Sequence, residues 1–420
     1  MKGGFMKRAL LSQMAHEWKT NIWLILELAI VALAIWTIIT ALWITAKGWF
    51  QPRGFNPENV YSLRVKSIPE NSPYFLTEYK DQFTADRDEL MRRLRENPYV
   101  ENVSLENNFS PYEYSFVGSI LRIEGKDSIT YSGNFRSGDP EIIDLLGIQS
   151  ATGKTNKELT AMLERGEVLI SKYEGFRKDL SKDKDISYEN LIGKTAYLFG
   201  QEDSPAKIGD MVIPVKRSDY EEALGMVIIP FSANDNKRNS EKSLLIKVKD
   251  GAGKKFEEDF YSDYDLTHLR NVYLSDLISL VKKGKSVHRE TEINIRLMVG
   301  LSFFLLLTIF LGLLGSFWFR VQQRTSEIAI RKTFGATNKD LFQRIIGEGL
   351  LLLLGGLLLT SSCVWPFVKK ITNEIDEYWY TLLAIEAITA GFMALGIILS
   401  LWYPAWRAMH VEPAIAVKEE

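Results

Sequence analysis

The sequence predicts a membrane protein with four transmembrane α-helices, one N-terminal and three C-terminal, and a large α+β extracytoplasmic domain inserted between the first and second. Four apolar stretches predict the helices, because each is long enough to cross a bilayer, which takes about 20 residues. A charged region with mixed strand and helix patterns separates the first two stretches and predicts the α+β domain. An excess of basic residues between the second and third stretches orients the chain by the positive-inside rule.

The first span is predicted at 21–46, after a basic, amphipathic cytoplasmic segment at 1–20. A cleaved signal peptide is the competing interpretation, but the apolar run is too long and no small-x-small cleavage site follows it cleanly. The other spans are predicted at 294–319, 345–368 and 382–403. The connection at 369–381 lacks a basic excess and is placed outside, which leaves a cytoplasmic tail at 404–420.

Residues 47–293 are predicted to form the extracytoplasmic domain, which starts with a turn-rich linker at 50–59. The region has no repeat of 20–50 residues, which argues against a solenoid. Strands are predicted at 60–68, 100–105, 119–123, 168–171, 195–199, 208–215, 226–229 and 244–248. Helices are predicted at 84–96, capped by Thr84, at 139–146, and at 274–283, where the chain returns to the membrane.

The composition excludes several classes of protein. A net charge of -2 and the lack of any recognition motif argue against a nucleic-acid partner. The single cysteine, Cys363, rules out an intrachain disulfide and is interpreted as a small packing residue within a span. The chain has no G-x-x-x-x-G-K-[ST] loop, no hydrolase motif and no histidine at metal-ligand spacing. We therefore predict no catalytic residue, no metal, no cofactor and no enzymatic activity.

Three acidic residues lie within the predicted spans: Glu27 and Glu348 near cytoplasmic ends and Glu386 near an outer end. A carboxylate at mid-membrane costs roughly 2.5–3.5 kcal/mol on insertion scales, so we interpret Glu27 as a polar contact between helices. Nearly all the tryptophans lie near span ends, the level that aromatic rings prefer, whereas Trp36 lies deep.

The segment at 320–344 joins the second and third spans and carries six basic residues: Arg320, Arg324, Arg331, Lys332, Lys339 and Arg344. On a helix, four charged residues would form one stripe: Arg320, Arg324, Glu327 and Arg331. Ile330 and Phe334 would lie on a different face. The charge alone favours a stop-transfer cluster that only sets topology.

The order of structural signals in the same segment favours a second interpretation. Gly335 is predicted to end a short helix in the left-handed conformation. Thr337, with Asp340 three residues on, is predicted to begin the next helix through a variant of the capping box. A helix, a break and a helix that enters the membrane indicate a docking surface for a cytoplasmic partner.

The segment RTSEIAIRKTFGATNKDLFQRIIGEG resembles the signature of MacB/FtsX-type ABC transporter permeases, whose core reads R-x-x-E-[IL]-x-[IL]-[RK]-x-x-G-A. The tail YPAWRAMHVEPAIAVKEE resembles the end of the same family, with its Pro-x-x-Ala-[LV] pattern. Pieces of the middle region, such as YSGNFRSGDPEIIDLLGIQSATGK and GMVIIPF, follow the order of the family's MacB-like periplasmic core domain. That resemblance implies a membrane-proximal subdomain built from both ends of the region and a second subdomain inserted between them.

The resemblance implies a permease subunit that is driven by a separate ABC ATPase subunit and paired with a second permease chain, identical or paralogous. It would lie among the lipids of the bacterial cytoplasmic (inner) membrane, with both termini cytoplasmic and residues 47–293 outside. ATP hydrolysis would move the outer domain through links at 50–59 and 274–290. The substrate would be a small toxic compound, a peptide or a lipoprotein, and a periplasmic adaptor or outer-membrane partner stays open.

By the same resemblance, the ATPase-coupling residues are Arg324, Glu327, Arg331, Lys332, Gly335, Ala336 and Pro413. The alternative function is an FtsX-like transmitter that regulates an extracytoplasmic enzyme, although the outer domain here is larger than those members usually have. A membrane-bound enzyme is a third hypothesis, and no group of residues supports it.

Overall fold

The computed structural model describes residues 18–113, 118–123, 129–171, 188–201, 203–231, 242–262, 269–323, 325–372 and 375–410. Contacts divide the chain into two units: Met1–Ile44 with Asn294–Glu420, and Thr45–Ile293. The helices, in chain order, are α1 (Trp18–Phe50), α2 (Phe83–Glu96), α3 (Ile142–Leu146), α4 (Asn156–Glu164), α5 (Gly253–Ser262), α6 (Leu280–Gln323), α7 (Thr325–Thr333), α8 (Asn338–Thr372) and α9 (Ile375–His410). Short 3₁₀ helices lie at Thr77–Tyr79, Tyr188–Leu191 and Leu198–Gly200.

Four of the described helices are long and apolar enough to cross a membrane: α1, α6, α8 and α9. Their number and order confirm the prediction of one N-terminal and three C-terminal spans. In the first unit, α8 packs closely on two neighbours at glycine positions. A Cβ on Gly356 would lie 3.0 Å from the Cβ of Leu28 on α1, and one on Gly349 would lie 2.7 Å from Leu401 Cδ1 on α9. These small residues therefore allow the helices to approach each other closely.

Two details of this unit differ from the sequence prediction. The connection predicted at 369–381 is largely helical, because α8 continues to Thr372 and α9 already begins at Ile375. The prediction ended each helix where the apolar residues end. Charged residues are also good helix formers, so the helices continue beyond that point. Cys363, interpreted as a packing residue, is exposed.

The second unit is built on ten strands, counted over the described residues, that form one mixed sheet. They are β1 (Val60–Ser67), β2 (Val100–Asn107), β3 (Gly118–Ile123), β4 (Ile129–Gly138), β5 (Val168–Ser171), β6 (Thr195–Tyr197), β7 (Pro205–Val212), β8 (Met226–Pro230), β9 (Lys242–Val248) and β10 (Val272–Ser279). The strand order is β10-β1-β9-β2-β4-β3-β6-β7-β5-β8.

The sheet has two parts with different origins in the sequence. β10, β1, β9 and β2 come from both ends of the unit and pair antiparallel. A further parallel pairing between β4 and β8 closes the remaining six strands into a ring. The division into a part built from both ends and a part inserted between them agrees with the predicted arrangement of two subdomains.

Helices cover both parts of the sheet with apolar faces. Leu90 and Leu94 of α2 and Phe256 of α5 pack with Leu105 of β2 and Ile246 of β9, and all five are fully buried. α3 and α4 bury their apolar faces in a second cluster, at the junction of the two parts. The unit therefore has its own hydrophobic core, which stabilises it without a disulfide.

Several predicted elements in this unit were wrong or were missed. Residues 274–283 were predicted as a helix, but β10 runs to Ser279 and pairs with β1 before α6 begins. A register shift in this pairing, with Asp276 at a φ of 59°, disturbs the alternation that identifies a strand. The first helix begins at Phe83 after the cap residue Gln82, one residue before the predicted cap Thr84. β4, α4 and α5 were not predicted.

We expect the substitution Leu105→Ala to lower the free energy of unfolding by roughly 2–5 kcal/mol, because it removes a fully buried side chain and leaves a cavity. The measurement is the thermal midpoint of the full chain in detergent. Leu76→Ala, at an exposed position, is the matched control and should leave the midpoint nearly unchanged. Equal effects of the two substitutions would contradict this assignment of the core.

Candidate coupling site

The link between α7 and α8 is a tight turn that is closed by two backbone hydrogen bonds. Gly335 adopts the left-handed conformation, with a φ of 90°, as predicted. Its N–H donates to the Lys332 carbonyl at 3.0 Å, and the Ala336 N–H donates to the Arg331 carbonyl at 3.1 Å. These two bonds form a Schellman motif, which satisfies carbonyls at the end of α7. A side chain at position 335 would strain this backbone conformation.

The start of α8 is capped by the predicted pair of side chains. The Asp340 N–H donates to Thr337 Oγ1 at 3.2 Å, and Asp340 Oδ2 accepts from the Thr337 N–H at 3.2 Å and from its hydroxyl at 2.6 Å. The reciprocal bonds make a capping box with aspartate in place of glutamate. Together, the two motifs fix a rigid helix–turn–helix, 325–344, which we call the elbow.

The elbow has an inner face and an outer face. Ile328 and Ala329 of α7 and Leu341 of α8 are buried, and Ile328 and Leu341 pack with Phe317 and Leu401 in the core of the first unit. On the outer face, Ile330 is 48% exposed and Phe334 is 88% exposed. An aromatic side chain held almost fully exposed on a rigid turn is typical of a docking surface.

Charged side chains lie on the inner side of the elbow. Arg331 donates to Glu327 one helical turn earlier, and both side chains are partly buried. These two residues line a cavity of about 50 Å³ together with Arg344 and Glu348 of α8. The cavity has room for water but not for a ligand of ordinary size. The structure thus brings together two predicted coupling residues and one predicted intramembrane carboxylate.

The other predicted site residues lie elsewhere. Lys332 is partly buried on α7, whereas Arg324 and Pro413 lie outside the described residues. Glu27 accepts a hydrogen bond from Ser316 at 3.5 Å, which joins α1 to α6. Glu386 accepts one from the indole N–H of Trp365 at 2.7 Å, which joins α9 to α8.

A second feature, in the other unit, holds the end of α1. Lys216 is buried, and its ammonium donates to three backbone carbonyls: Gly48, Gln51 at 3.1 Å and Asp219 at 3.3 Å. Gly48 lies in the last turn of α1, where carbonyls lack helical partners. Burial lowers the pKa of Lys216, while the carboxylate of Asp219 opposes that change. This lysine caps the end of α1 with two of its three N–H donors and gives the third to the Asp219 carbonyl.

The start of α6 is held by the same region. Lys283 donates to Ser110 at 2.8 Å and to Glu113 at 2.6 Å. His288 accepts from the Asp219 N–H at 3.1 Å, and Tyr220 donates to Glu292 at 3.3 Å. Segment 214–223 therefore contacts both the end of α1 and the start of α6, and segment 106–113 contacts the start of α6. We call the two segments the clasp.

Aromatic rings fill the space within the clasp. Tyr112 contacts Phe55 and His288 edge to face, with ring centroids 5.4 and 5.3 Å apart. A Cβ on Gly284 would lie 2.9 Å from the Tyr112 ring, and one on Gly48 would lie 2.4 Å from the Tyr220 carbonyl oxygen. Both helices therefore carry a glycine where the clasp approaches them most closely.

The clasp contains residues that sequence reasoning missed. The predicted links at 50–59 and 274–290 include the helix-side contacts at Gln51, Lys283 and His288 but not those at Gly48 and Glu292. Lys216, Tyr220 and Tyr112 carried no recognised pattern. One signal was available: VIPVKRSDY places a lysine directly after an apolar run, and a lysine is rarely fully buried unless it has a polar partner. Its partners, the carbonyls at the end of α1, could be identified only from the folded structure.

Comparison with known proteins identifies the C-terminal region. Residues 299–413 match the family model "FtsX-like permease C-terminal". The macrolide export ATP-binding/permease protein MacB of Syntrophobacter fumaroxidans (strain DSM 10017 / MPOB) is 31% identical over 115 residues. That match covers 26% of this chain and 15% of the length of MacB.

Two solved structures are similar to the region between the spans. The extracellular domain of the noncanonic ABC-type transporter YknZ from Gram-positive bacteria has 12% identity and a TM-score of 0.30, covering 51% of this chain and 100% of that one. A domain of a permease protein described as putative from Porphyromonas gingivalis has 14% identity and a TM-score of 0.30, covering 54% and 94%. Similarity at this level supports no conclusion about function.

The four spans, the elbow and the large inserted sheet unit define a multi-pass membrane protein of the permease class. Residues 299–413, which include the elbow, match the FtsX-like permease C-terminal family, and part of the chain is similar to a MacB protein.

We expect Gly48→Ala to destabilise the full chain by roughly 1–3 kcal/mol, because the new methyl group would meet the backbone of Tyr220, which cannot move aside easily. Gly300→Ala on α6 is the matched control, since nothing lies within 4 Å of the added Cβ. The thermal midpoint in detergent should fall for the first variant and stay or rise for the second. A midpoint that is unchanged in Gly48→Ala would contradict the close contact.

The stability of the clasp should depend on pH through Glu106. Burial raises the pKa of this carboxyl to about 7, and hydrogen bonds from the Phe109 and Ser110 N–H groups oppose that rise only in part. The folded state therefore binds the proton more tightly than the unfolded state, so stability decreases as pH rises from about 4.5 to about 7. The full loss amounts to roughly 3 kcal/mol.

We expect Glu106→Gln to remove this part of the pH dependence, because the amide stays neutral and still offers an acceptor oxygen. Thermal midpoints of both proteins from pH 4.5 to 8 measure the difference. Glu96→Gln, at an exposed position, should keep the original slope. Parallel curves for the chain and for Glu106→Gln would contradict the assignment.

Proposed function

We propose that this chain is the membrane subunit of an ABC transporter and that a separate ATPase subunit drives it by binding the elbow. The observation that carries the proposal is the elbow itself, a capped and rigid turn with Phe334 on its outer face. The match to a MacB protein that combines ATP-binding and permease parts supports it, because the matched region here contains the elbow. This chain carries no phosphate-cradling loop of its own.

The charges of the elbow support a cytoplasmic location for it. The segment 320–344, which contains the elbow, has six basic side chains against two acidic ones, the pattern of a loop that stays inside. From the even number of spans we infer that both ends of this sequence lie in the cytoplasm of a bacterial cell and that residues 47–293 lie outside its inner membrane. In this arrangement the elbow and the clasp lie on opposite sides of the membrane.

Movement at the elbow would reach the outer domain through α1 and α6. The elbow is packed against α6 and α9 through Phe317 and Leu401, so a push on it moves the span core rather than a loose loop. α1 and α6 continue into the second unit, where the clasp holds both. We infer that ATP-driven closure changes the separation of α1 and α6 and that the clasp converts this change into movement of the outer domain.

One set of four spans provides half of such a transporter, so the proposal includes a second permease chain, identical or paralogous. The work of the outer domain would be the export or extraction of a substrate outside the membrane. A small toxic compound, a peptide and a lipoprotein all fit this mechanism.

We expect Phe334→Ala to weaken association with the ATPase by at least about tenfold, because buried aromatic anchors at interface centres contribute most of the binding energy. The measurement is the apparent Kd for the purified ATPase, together with the stimulation of ATP hydrolysis in the reconstituted complex. Because Phe334 is almost fully exposed, its removal should leave the thermal midpoint of the chain unchanged.

Tyr74→Ala is the matched control, since Tyr74 is 79% exposed on the other unit and should not contribute to this binding. The double variant Glu327→Ala with Arg331→Ala tests the inner face, and it should reduce ATPase stimulation as well. If ATPase binding and stimulation of ATP hydrolysis are unchanged in Phe334→Ala and in the double variant, the proposed coupling role of the elbow is contradicted.

A further inference from the structure

The first unit contains a cavity of about 280 Å³ among α1, α8 and α9, apart from the elbow. Its polar lining includes Trp36, Thr360, Ser361, Glu386 and Thr389. Its remaining lining residues are aliphatic: Leu357, Leu383, Ala387 and Ala390. Leu383 and Ala387 are also exposed, so the cavity is open on one side. A volume of this size holds the polar end and a short apolar stretch of a ligand.

Glu386 gives the cavity an acceptor of hydrogen bonds. It lies seven residues beyond the start of the span Trp379–Arg407, roughly 10 Å along the helix at 1.5 Å per residue. The indole N–H of Trp365 donates to one of its oxygens at 2.7 Å. A carboxylate has about four acceptor positions, so most of its capacity is left within the span, where an ionisable side chain is by default a functional candidate.

Trp36 gives the cavity a donor that has no acceptor. Its indole Nε1 is buried and makes no hydrogen bond with any residue that the structure describes. Trp36 lies within the span Ile22–Phe50. An unsatisfied N–H costs free energy wherever water is absent, so a ligand oxygen at this position would be favoured.

The threonines of the cavity are already satisfied. Thr360 donates to the carbonyls of Ala29 and Gly356 at 3.0 Å each, and Thr389 donates to the Ile385 carbonyl at 2.8 Å. The free polar capacity therefore belongs mainly to one carboxylate and one indole N–H, surrounded by aliphatic walls. This combination is complementary to a cation with a neighbouring acceptor and an apolar chain.

We propose that the cavity binds an amphiphile whose polar end carries a primary ammonium beside an acceptor oxygen, with Glu386 receiving the ammonium and Trp36 donating to the oxygen. The apolar chain would leave through the open side, past Leu383. Such a polar end occurs in aminolipid headgroups and in free single-chain amino alcohols. The site is separate from the elbow and does not rest on the coupling role proposed above.

The test uses the full chain in nanodiscs of phosphatidylcholine, which has no primary ammonium. The probes are 2-aminododecanol, which carries both groups, and dodecanol, which lacks the amine, and native mass spectrometry measures how much of each is retained. We expect the chain to retain the amino alcohol about tenfold better, because a hydrogen bond to a charged group is strong where water is excluded. Glu386→Gln should abolish that preference.

Glu27→Gln is the matched control, because it removes another carboxylate from the spans and should keep the preference. Trp36→Phe keeps the carboxylate and an aromatic ring but removes the indole N–H, so it should lower retention of the amino alcohol several-fold even if Glu386→Gln does not fold. Equal retention of the two probes, or equal losses in Glu27→Gln and Glu386→Gln, would overturn the proposal.

A second arm separates the two sources of the ligand. Nanodiscs that contain phosphatidylethanolamine should displace the amino alcohol if the occupant is a lipid headgroup, and should leave it bound if the site selects a free amphiphile. Either result supports the proposed ammonium site, provided that the displacement or the retention is lost in Glu386→Gln. If the Glu386→Gln variant shows the same displacement or the same retention as the unsubstituted chain, the proposed ammonium site is overturned.

Discussion

The last carbonyls and first N–H groups of a helix have no partners within the helix, and this permease satisfies them at two critical places by different means. At the elbow the partners are local: Gly335 turns the backbone so that the carbonyls of α7 are bonded, and Thr337 with Asp340 caps α8. At the clasp the partner is distant: the ammonium of Lys216 caps α1. Because these ends are bonded rather than frayed, each helix end has a fixed direction.

In the proposed mechanism, fixed helix ends matter because they transmit movement rather than absorb it. The elbow is joined to the span core by Ile328 and Leu341, and the clasp joins α1 to α6 through Tyr220, whose ring contacts Trp49 and His288. Each contact is short-ranged and closely packed, and packed elements move as bodies. α1 and α6 each contain residues of both units, so the proposed mechanism assigns the transmission of movement to them. The same route would serve an exporter or an FtsX-like transmitter.

The sequence predicted the spans and the elbow well because their signals are local. Apolar length identifies a span, and a glycine followed by a Thr-x-x-Asp pattern identifies a break between helices. Prediction from the sequence failed where pairing between strands that are distant in the sequence determines the structure. β4 contains Gly133 and Asn134 and forms because β3 and β8 flank it, whereas β10 carries a bulge that hides its alternation. The clasp joins residues more than 150 positions apart, such as Lys216 and Gly48, and no local pattern can predict such a contact.

The central claim is that the elbow faces the cytoplasm while the sheet unit lies on the other side of the membrane, and labelling of single cysteines tests it most directly. In a Cys363→Ser background, Phe334→Cys and Tyr74→Cys place one reactive thiol at an exposed position on each unit. A membrane-impermeant maleimide added to spheroplasts should label Tyr74→Cys at once and Phe334→Cys only after the membrane is permeabilised. Labelling of Phe334→Cys in intact spheroplasts would contradict the account.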